Sequence, residues 1–180
     1  MSSPIKVSTE EMARIDASDY RHSSSLIPVV VVLDNVRSKN NIGSIFRTAD
    51  AMGIAEIYLC GITATPPDRE IHKTALGAEE SVPFHHCESI HAALDKLQQE
   101  GYRLYAVELT HDSLKLGKDY IETDRPIALV FGNEIEGVQE PVLQRCDAFI
   151  EIPQYGSKHS LNVSCAAAIA MWEISKQIRQ

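Results

Sequence analysis

The chain has 180 residues, a length that suits one compact domain with a hydrophobic core of its own. Hydrophobic residues make up 44% of the chain and charged residues 23%, and this ordinary globular composition excludes a largely disordered or low-complexity protein. The formal net charge of −8 counts against a general affinity for nucleic acid, because phosphate binding usually draws on a surplus of lysine and arginine.

The predicted elements begin after a polar stretch, residues 1–27, in which we expect a short helix near residues 9–16. A β-branched run at residues 28–33, PVVVVL, has no polar face and is typical of a central strand covered on both sides. Apolar residues at helical spacing follow, and Gly53 stands where that helix should stop. Later strands are predicted at 54–61, 82–86, 102–109, 126–132 and 148–153, and later helices at 88–101 and 161–177.

This alternation predicts an α/β fold with a mostly parallel sheet flanked by helices. We expect residues 28–180 to form a single domain and residues 1–27 to be an N-terminal appendage. A proline-broken loop with a possible short helix, residues 61–77, suits a substrate-facing segment. The chain contains neither a G-x-G-x-x-G after the first strand nor a G-x-x-x-x-G-K-[ST], which excludes the usual Rossmann and P-loop fingerprints.

Three other segments follow predicted strands, at the end where open α/β sheets bind their ligands. In the first, residues 34–50, Asn41 is followed six positions later by Arg47, which we expect near the loop end of the helix. An arginine there can grip phosphate in a bidentate fork. The alternative is structural: Asn40 or Asn41 caps the helix and Arg47 is a solvated surface charge. Further basic residues near the three segments are Arg37, Lys39, Lys158 and His159.

The second segment is residues 132–137, GNEIEG, directly after the apolar run IALVF. Its two glycines let backbone approach a ligand closely, and Glu134 would point from the same loop. A tight turn between a strand and a helix, with Glu136 near the helix N-terminus, explains the pattern equally well.

The third segment is residues 152–164, IPQYGSKHSLNVS, followed by a helix rich in alanine. Ser160 and Asn162 are hydrogen-bonding side chains at the start of that helix, and either is also a natural N-cap. The small residues of the helix allow very close packing, as a subunit interface or an ordinary core would require.

In this order and spacing the segments resemble the three motifs of the SpoU/TrmH class in the SPOUT superfamily of RNA ribose 2′-O-methyltransferases. The matching stretches are NNIGSIFRTA, LVFGNExxGV and IPxxGxxxSLNVSxAxAI. The resemblance covers the chain from about residue 28 to the C-terminus. It departs from the family at Gln154 and Tyr155, because methionine often follows Ile-Pro in the third motif.

The resemblance implies a sheet whose C-terminal segment forms a deep trefoil knot, a rare exception to the general avoidance of knots in proteins. It also implies a homodimer with the active site near the subunit interface, and it requires no metal. The knot loops of the family hold S-adenosylmethionine through main-chain groups. By similarity the cofactor-binding positions in this chain are Gly132, Asn133, Ile152 and Leu161.

The family's functional polar residues match Asn41, Arg47, Glu134, Ser160 and Asn162 of this chain. An arginine at the place of Arg47 is proposed in the family to act as a base on the ribose hydroxyl. A guanidinium is hard to deprotonate near neutrality. We therefore prefer the interpretation that Arg47 clamps the RNA phosphate and orients the 2′-oxygen.

Among RNA substrates, tRNA is favoured over rRNA, because members that lack an accessory domain often act on tRNA. A catalytically inactive knotted protein that binds RNA or a partner is the alternative. A methyltransferase for protein or a small molecule is a third interpretation, which the acidic charge slightly favours.

The remaining residues predict little chemistry. The four cysteines form no C-x-x-C pair, and we expect reduced, buried thiols rather than a zinc site or disulfides. His85 and His86 should point to opposite faces of a strand and cannot easily share a metal ion. Glu108 is expected to be an ordinary solvated charge and Trp172 a core or interface residue.

The sequence begins without a signal-peptide pattern, and no apolar run approaches the ~18 residues of a membrane span. We therefore expect a cytoplasmic protein.

Overall fold

The computed structural model describes residues 6–8, 11–12, 15–158 and 160–180. Its strands are β1 Ile27–Asp34, β2 Ile54–Cys60, β3 Phe84–Cys87, β4 Arg103–Val107, β5 Leu114–Lys115, β6 Ile127–Phe131 and β7 Ala148–Glu151. Its α-helices are α1 Lys39–Met52, α2 Arg69–Ala75, α3 Ala78–Ser81, α4 Ile90–Gln99, α5 Glu140–Leu143 and α6 Val163–Arg179. A 3-10 helix, Ala17–His22, precedes β1.

The seven strands form one sheet in the order β3-β2-β1-β6-β4-β7-β5, and all of its strand pairs are parallel. This confirms the predicted α/β fold, in which a parallel sheet is flanked by helices. β6 lies between β1 and β4, although β2 and β3 follow β1 in the chain. The strand order therefore reverses at the centre of the sheet, and such reversals are where open α/β sheets bind ligands.

Each face of the sheet packs against its own hydrophobic core. On one face, residues of β1 such as Val31 and Leu33 join α1 and α6. On the other, Val30 and Val32 join α4 and α5. Because both faces are covered, β1 and β6 are apolar along almost their whole length, which explains why they were predictable as buried strands.

Helix α1 begins and ends with clear caps. Ser38 caps its N-terminus by accepting a hydrogen bond from the backbone N–H of Asn41 at 3.3 Å, so neither Asn40 nor Asn41 is the cap. Gly53 ends the helix in the left-handed region with a φ of 68°, as predicted. Within the helix, a Cβ added to Gly43 would overlap the Thr74 hydroxyl and the carbonyl oxygen of Ile71, so only glycine at this position lets α2 pack so close to α1.

The described part of the N-terminal stretch docks on the domain through Tyr20. This side chain is 2% exposed, and its hydroxyl donates to the carbonyl oxygens of Ala49 and Ile54 at 3.2 and 2.9 Å. The helix expected near residues 9–16 lies partly outside the described residues, and its four described positions are not helical. The boundary between appendage and domain at residue 27 stays a prediction.

The elements that sequence patterns missed are all short: α3, α5, β5 and the 3-10 helix. Four or fewer residues in α3, α5 and β5 are too few to show a periodicity. The cysteines are free, but the expectation of burial is wrong for Cys165, which is exposed on α6. Within the described ranges, no helix is both long and apolar enough to cross a membrane.

Candidate active site

A cavity of about 510 Å³ opens at the carboxyl ends of β4, β6 and β7. It is lined by the loops that follow these strands and by the start of α6. All four predicted cofactor-binding residues lie in its wall: Gly132, Asn133, Ile152 and Leu161. Glu134, Ser160 and Asn162 line it as well. The structure thus brings the second and third segments together around one cavity.

The loop that follows β6 is a tight, self-bonded turn. Asn133 is 7% exposed, and its side-chain oxygen accepts from the backbone N–H groups of Ile135 and Glu136, each at 2.9 Å. Gly132 and Gly137 lie so close that a Cβ on Gly132 would overlap the carbonyl of Gly137. Bare backbone therefore forms this wall of the cavity, which is what the two glycines predicted.

Glu108 also holds the loop that follows β6. It is partly buried, so the prediction that it is an ordinary solvated charge was wrong. Its Oε2 accepts from the backbone N–H of Val138 at 2.9 Å, and its Oε1 accepts from that of Leu109 at 3.0 Å. The residue lines the cavity directly after β4. Its position at the end of a predicted strand was the available signal, but it belongs to none of the three motifs.

Glu134 joins the loop after β6 to the start of α1. Its Oε2 accepts from the backbone N–H of Arg37 at 3.2 Å, and its Oε1 accepts from the N–H of Ser38 at 3.1 Å and the Asn41 amide at 3.2 Å. Partial burial raises the pKa of Glu134, but these hydrogen bonds outweigh it and hold the pKa below the ordinary value. The carboxylate also faces the positive end of the helix dipole.

Asn41 and Asn162 extend this connection to the third segment. The Asn162 amide donates to the Asn41 side-chain oxygen at 3.2 Å, and its own oxygen caps α6 by accepting from the backbone N–H and hydroxyl of Ser164. Asn162 is thus an N-cap and a link between motifs at once. One hydrogen-bonded chain, which we call the motif relay, runs Glu134, Asn41, Asn162 and Ser164.

Arg47 lies apart from the motif relay. It is the ninth residue of α1, in the third turn, about 9 Å along the helix axis from Asn41. The expectation that it sits near the loop end of the helix was therefore wrong, because the helix starts earlier than the asparagines suggested. Its side chain is exposed, lines no part of the cavity, and has no hydrogen bond or ion pair with any described residue.

The neighbouring histidines point to separate partners. His85 pairs with Glu56 at 3.1 Å, whereas the ring of His86 lies 3.3 Å from the carbonyl oxygen of Gly61. Over the described residues, no group of three or more His, Cys, Asp and Glu side chains is arranged to hold a metal ion.

The chain is similar in sequence to known methyltransferases. The family model for the SpoU rRNA Methylase family matches residues 28–172. A Staphylococcus haemolyticus protein named as a TrmH family tRNA/rRNA methyltransferase is 31% identical over 156 residues, which cover 86% of this chain and 61% of the relative. The chain therefore spans less than two thirds of the length of this relative.

Two solved structures share the fold. The SpoU methyltransferase AviRb of Streptomyces viridochromogenes in complex with AdoMet is 26% identical with a TM-score of 0.76, over 86% of this chain and 61% of that one. A chain solved in work on the 2-OH methylation of C/U34 on tRNA is 26% identical with a TM-score of 0.74, over 85% of this chain and 99% of that one. The sheet, the cavity and the three motif segments thus occur in a chain that belongs to the SpoU rRNA Methylase family.

Proposed function

We propose that this protein transfers a methyl group from S-adenosylmethionine to a ribose 2′-hydroxyl of RNA, with tRNA favoured over rRNA. The observation that carries the proposal is the cavity at the carboxyl ends of the strands, which the motif relay connects to α1. The AdoMet complex of one solved relative and the tRNA methylation studied with another support the cofactor and the substrate class.

The cavity fits the proposed cofactor in size and in the nature of its wall. Its volume of about 510 Å³ lies in the ordinary range of small-molecule sites. The wall at Gly132 is backbone without side chains, and Asn133, Ile152 and Leu161 complete the positions that would hold the cofactor. When bound, S-adenosylmethionine supplies a methyl group already activated by its sulfonium, so the protein's main task is positioning.

The motif relay and Arg47 divide that task. Asn41, Glu134 and Asn162 hold the cavity loops against α1, so that the loop wall keeps its shape when RNA arrives. Ser160 lies in the cavity wall with an exposed hydroxyl, available to a ligand. Arg47, exposed and unpaired among the described residues, is available to clamp an RNA phosphate and orient the ribose.

The positive charge for RNA would come from a small surface around α1. Arg37 is exposed just before the helix, Arg47 lies on it, and Arg69 begins the adjoining α2. None of the three forms an ion pair within the described part of the chain. Local placement thus compensates for the acidic total, since screening limits the reach of charges elsewhere on the molecule.

We further propose that the protein works as a homodimer through α6. One side of this helix exposes an apolar stripe in which Cys165 and Ile169 are followed by Trp172, with Leu161 just before the helix. Trp172 is 59% exposed and Ile169 41%. α6 packs beside α1, so a second copy on this stripe would lie close to Arg47 and bring further basic residues to the site.

The reaction is tested by incubating the protein with methyl-labelled S-adenosylmethionine and separate pools of unmodified tRNA and rRNA. Digestion of the tRNA is expected to place the label in a ribose-methylated nucleoside. Label in rRNA alone would overturn the tRNA preference. Absence of label from every RNA, with cofactor binding confirmed, would favour a non-catalytic binding protein. Inhibition of RNA labelling by added peptides would indicate that the protein methylates another kind of acceptor.

Replacement of Arg47 by alanine should lower methyl transfer by at least about a hundredfold, because an unclamped ribose is poorly aligned. Cofactor affinity should change little, since the side chain lies outside the cavity. The matched control is Arg125→Ala, an exposed arginine just before the amino end of β6, whereas the cavity lies at the carboxyl ends of the strands. Normal transfer by Arg47→Ala would show that the site assignment is wrong.

The carboxyl group of Glu134 should titrate below 4.5, its ordinary value, when followed by NMR of the side-chain carbon. A depressed pKa means that Glu134 adds stability above this pH and that the stability is lost as the pH falls through the depressed value. Asn41→Ala removes one donor and should raise the pKa of Glu134. Asn40→Ala, a neighbour whose side chain does not bond Glu134, should not. A wild-type pKa at or above 4.5 would contradict the motif relay.

Trp172→Glu should convert a dimer to a monomer in sedimentation velocity, because it replaces the largest apolar side chain of the stripe by a charged one. The helix itself should survive, since the side chain is largely exposed. Tyr120→Glu, which changes a 75% exposed aromatic residue outside α6, is the control and should leave the mass unchanged. Retention of the dimer by Trp172→Glu would exclude this face.

A further inference from the structure

The charged residues described in the cavity wall are all acidic. Its described lining residues include no lysine, arginine or histidine. Four glutamates line it: Glu108, Glu134, Glu136 and Glu151. This is unexpected for an enzyme whose second substrate is a polyanion, and it differs from the basic surface around α1.

Among the described residues, none of these carboxylates forms an ion pair. Glu108 and Glu134 accept from backbone N–H groups, and Glu134 also accepts from the Asn41 amide. Glu136 accepts from the Gln139 amide at 2.7 Å, and Glu151 from the Ser113 hydroxyl at 2.7 Å. All of these donors are uncharged, so the hydrogen bonds hold the carboxylates in place without adding a positive charge beside them.

Two of the four glutamates follow the neighbouring strands β4 and β7. These strands are register neighbours at Val107 and Ile150, so the two residues that follow, Glu108 and Glu151, lie side by side. Both are partly buried, where solvent screens charge less than at the surface. Lys115 pairs with Glu151 in register on β5, yet forms no ion pair with it among the described contacts.

We propose that Glu108 and Glu151 make the cavity select a positively charged ligand, the sulfonium cofactor, over its neutral thioether product. This inference rests on the proposed function. In the transfer, a bond forms between the ribose oxygen and the methyl carbon, the bond from that carbon to sulfur breaks, and its electron pair stays on sulfur. The hydroxyl proton leaves to solvent, and the ligand in the cavity loses one positive charge.

The charge difference between the cofactor and its product makes the cavity bind the cofactor more tightly. Coulomb attraction to the two carboxylates is present when the substrate form is bound and is lost with the methyl group. Glu108, which accepts from Val138, and Glu151, which accepts from Ser113, therefore also favour binding of S-adenosylmethionine over retention of the product. Glu108 and Glu151 are specificity residues in this proposal and take no part in moving the proton.

The test compares two unreactive ligands by calorimetry on the full chain. Sinefungin carries an amine, protonated near neutrality, in place of the methylated sulfur, and S-adenosylhomocysteine is neutral there. The wild-type protein is expected to bind sinefungin more tightly. Glu151→Gln keeps an acceptor for Ser113, and it should lower the ratio of the sinefungin affinity to the S-adenosylhomocysteine affinity about three- to tenfold. Glu108→Gln should lower this ratio by a similar factor. Added salt should also lower this ratio for the wild-type protein, because it screens the attraction between the carboxylates and the charged ligand.

Glu140→Gln is the control, because this exposed glutamate on α5 does not line the cavity, and its ratio should equal that of the wild type. The affinity for S-adenosylhomocysteine shows whether a variant still forms the pocket, since lost packing would weaken both ligands together. Equal affinities of the wild type for the two ligands, or an unchanged affinity ratio in both glutamine variants, would overturn this inference but not the proposed function. Failure of both ligands to bind the wild type would overturn the proposed function as well.

Discussion

The arrangement of the site depends on one carboxylate that bonds the start of a helix nearly a hundred residues away in the chain. Glu134 faces the N–H groups of Arg37 and Ser38, which have no partner within α1, and it satisfies them from the loop after β6. The parallel pairing of β1 with β6 puts the two loops side by side. Through Asn41 and Asn162 the same contact continues to the start of α6, so the three loops hold one another.

In the proposed function two ligands of opposite charge meet at this place, and the molecule separates the surfaces that would bind them. Carboxylates line the cavity, while Arg37 and Arg47 lie outside it on the side of α1. The motif relay joins the loop after β6 to the start of α1 and is made mostly of neutral amides, so it adds no positive charge to the cavity. Under the proposed function, the acidic net charge is therefore compatible with an RNA substrate, because Arg37 and Arg47 have no ion pair among the described residues and lie outside the acidic cavity.

The sequence predicted the central parts of this fold better than its periphery. Residues 28–33 form a buried parallel strand whose apolar run has no other explanation, and Gly53 ends α1 as its backbone freedom suggested. The polar residues of the motifs were identified by resemblance, because no rule of spacing relates Asn41 to Asn162 across the chain. Arg47 was misplaced by a turn, since Ser38 rather than an asparagine caps the helix. Glu108 was missed because its role depends on Val138, which only the folded sheet brings near.

The position of β6 has a consequence for how the chain folds. Its partner β1 is synthesised well before it, because the register neighbours Val29 and Ile127 are separated by more than half of the 180 residues. Until β6 is made and pairs with β1, one edge of this mostly apolar strand stays open, and such edges are prone to pair with other chains. Contacts of such long sequence separation also slow folding. Aggregation of nascent protein, rather than low final stability, is therefore the expected weakness of this architecture.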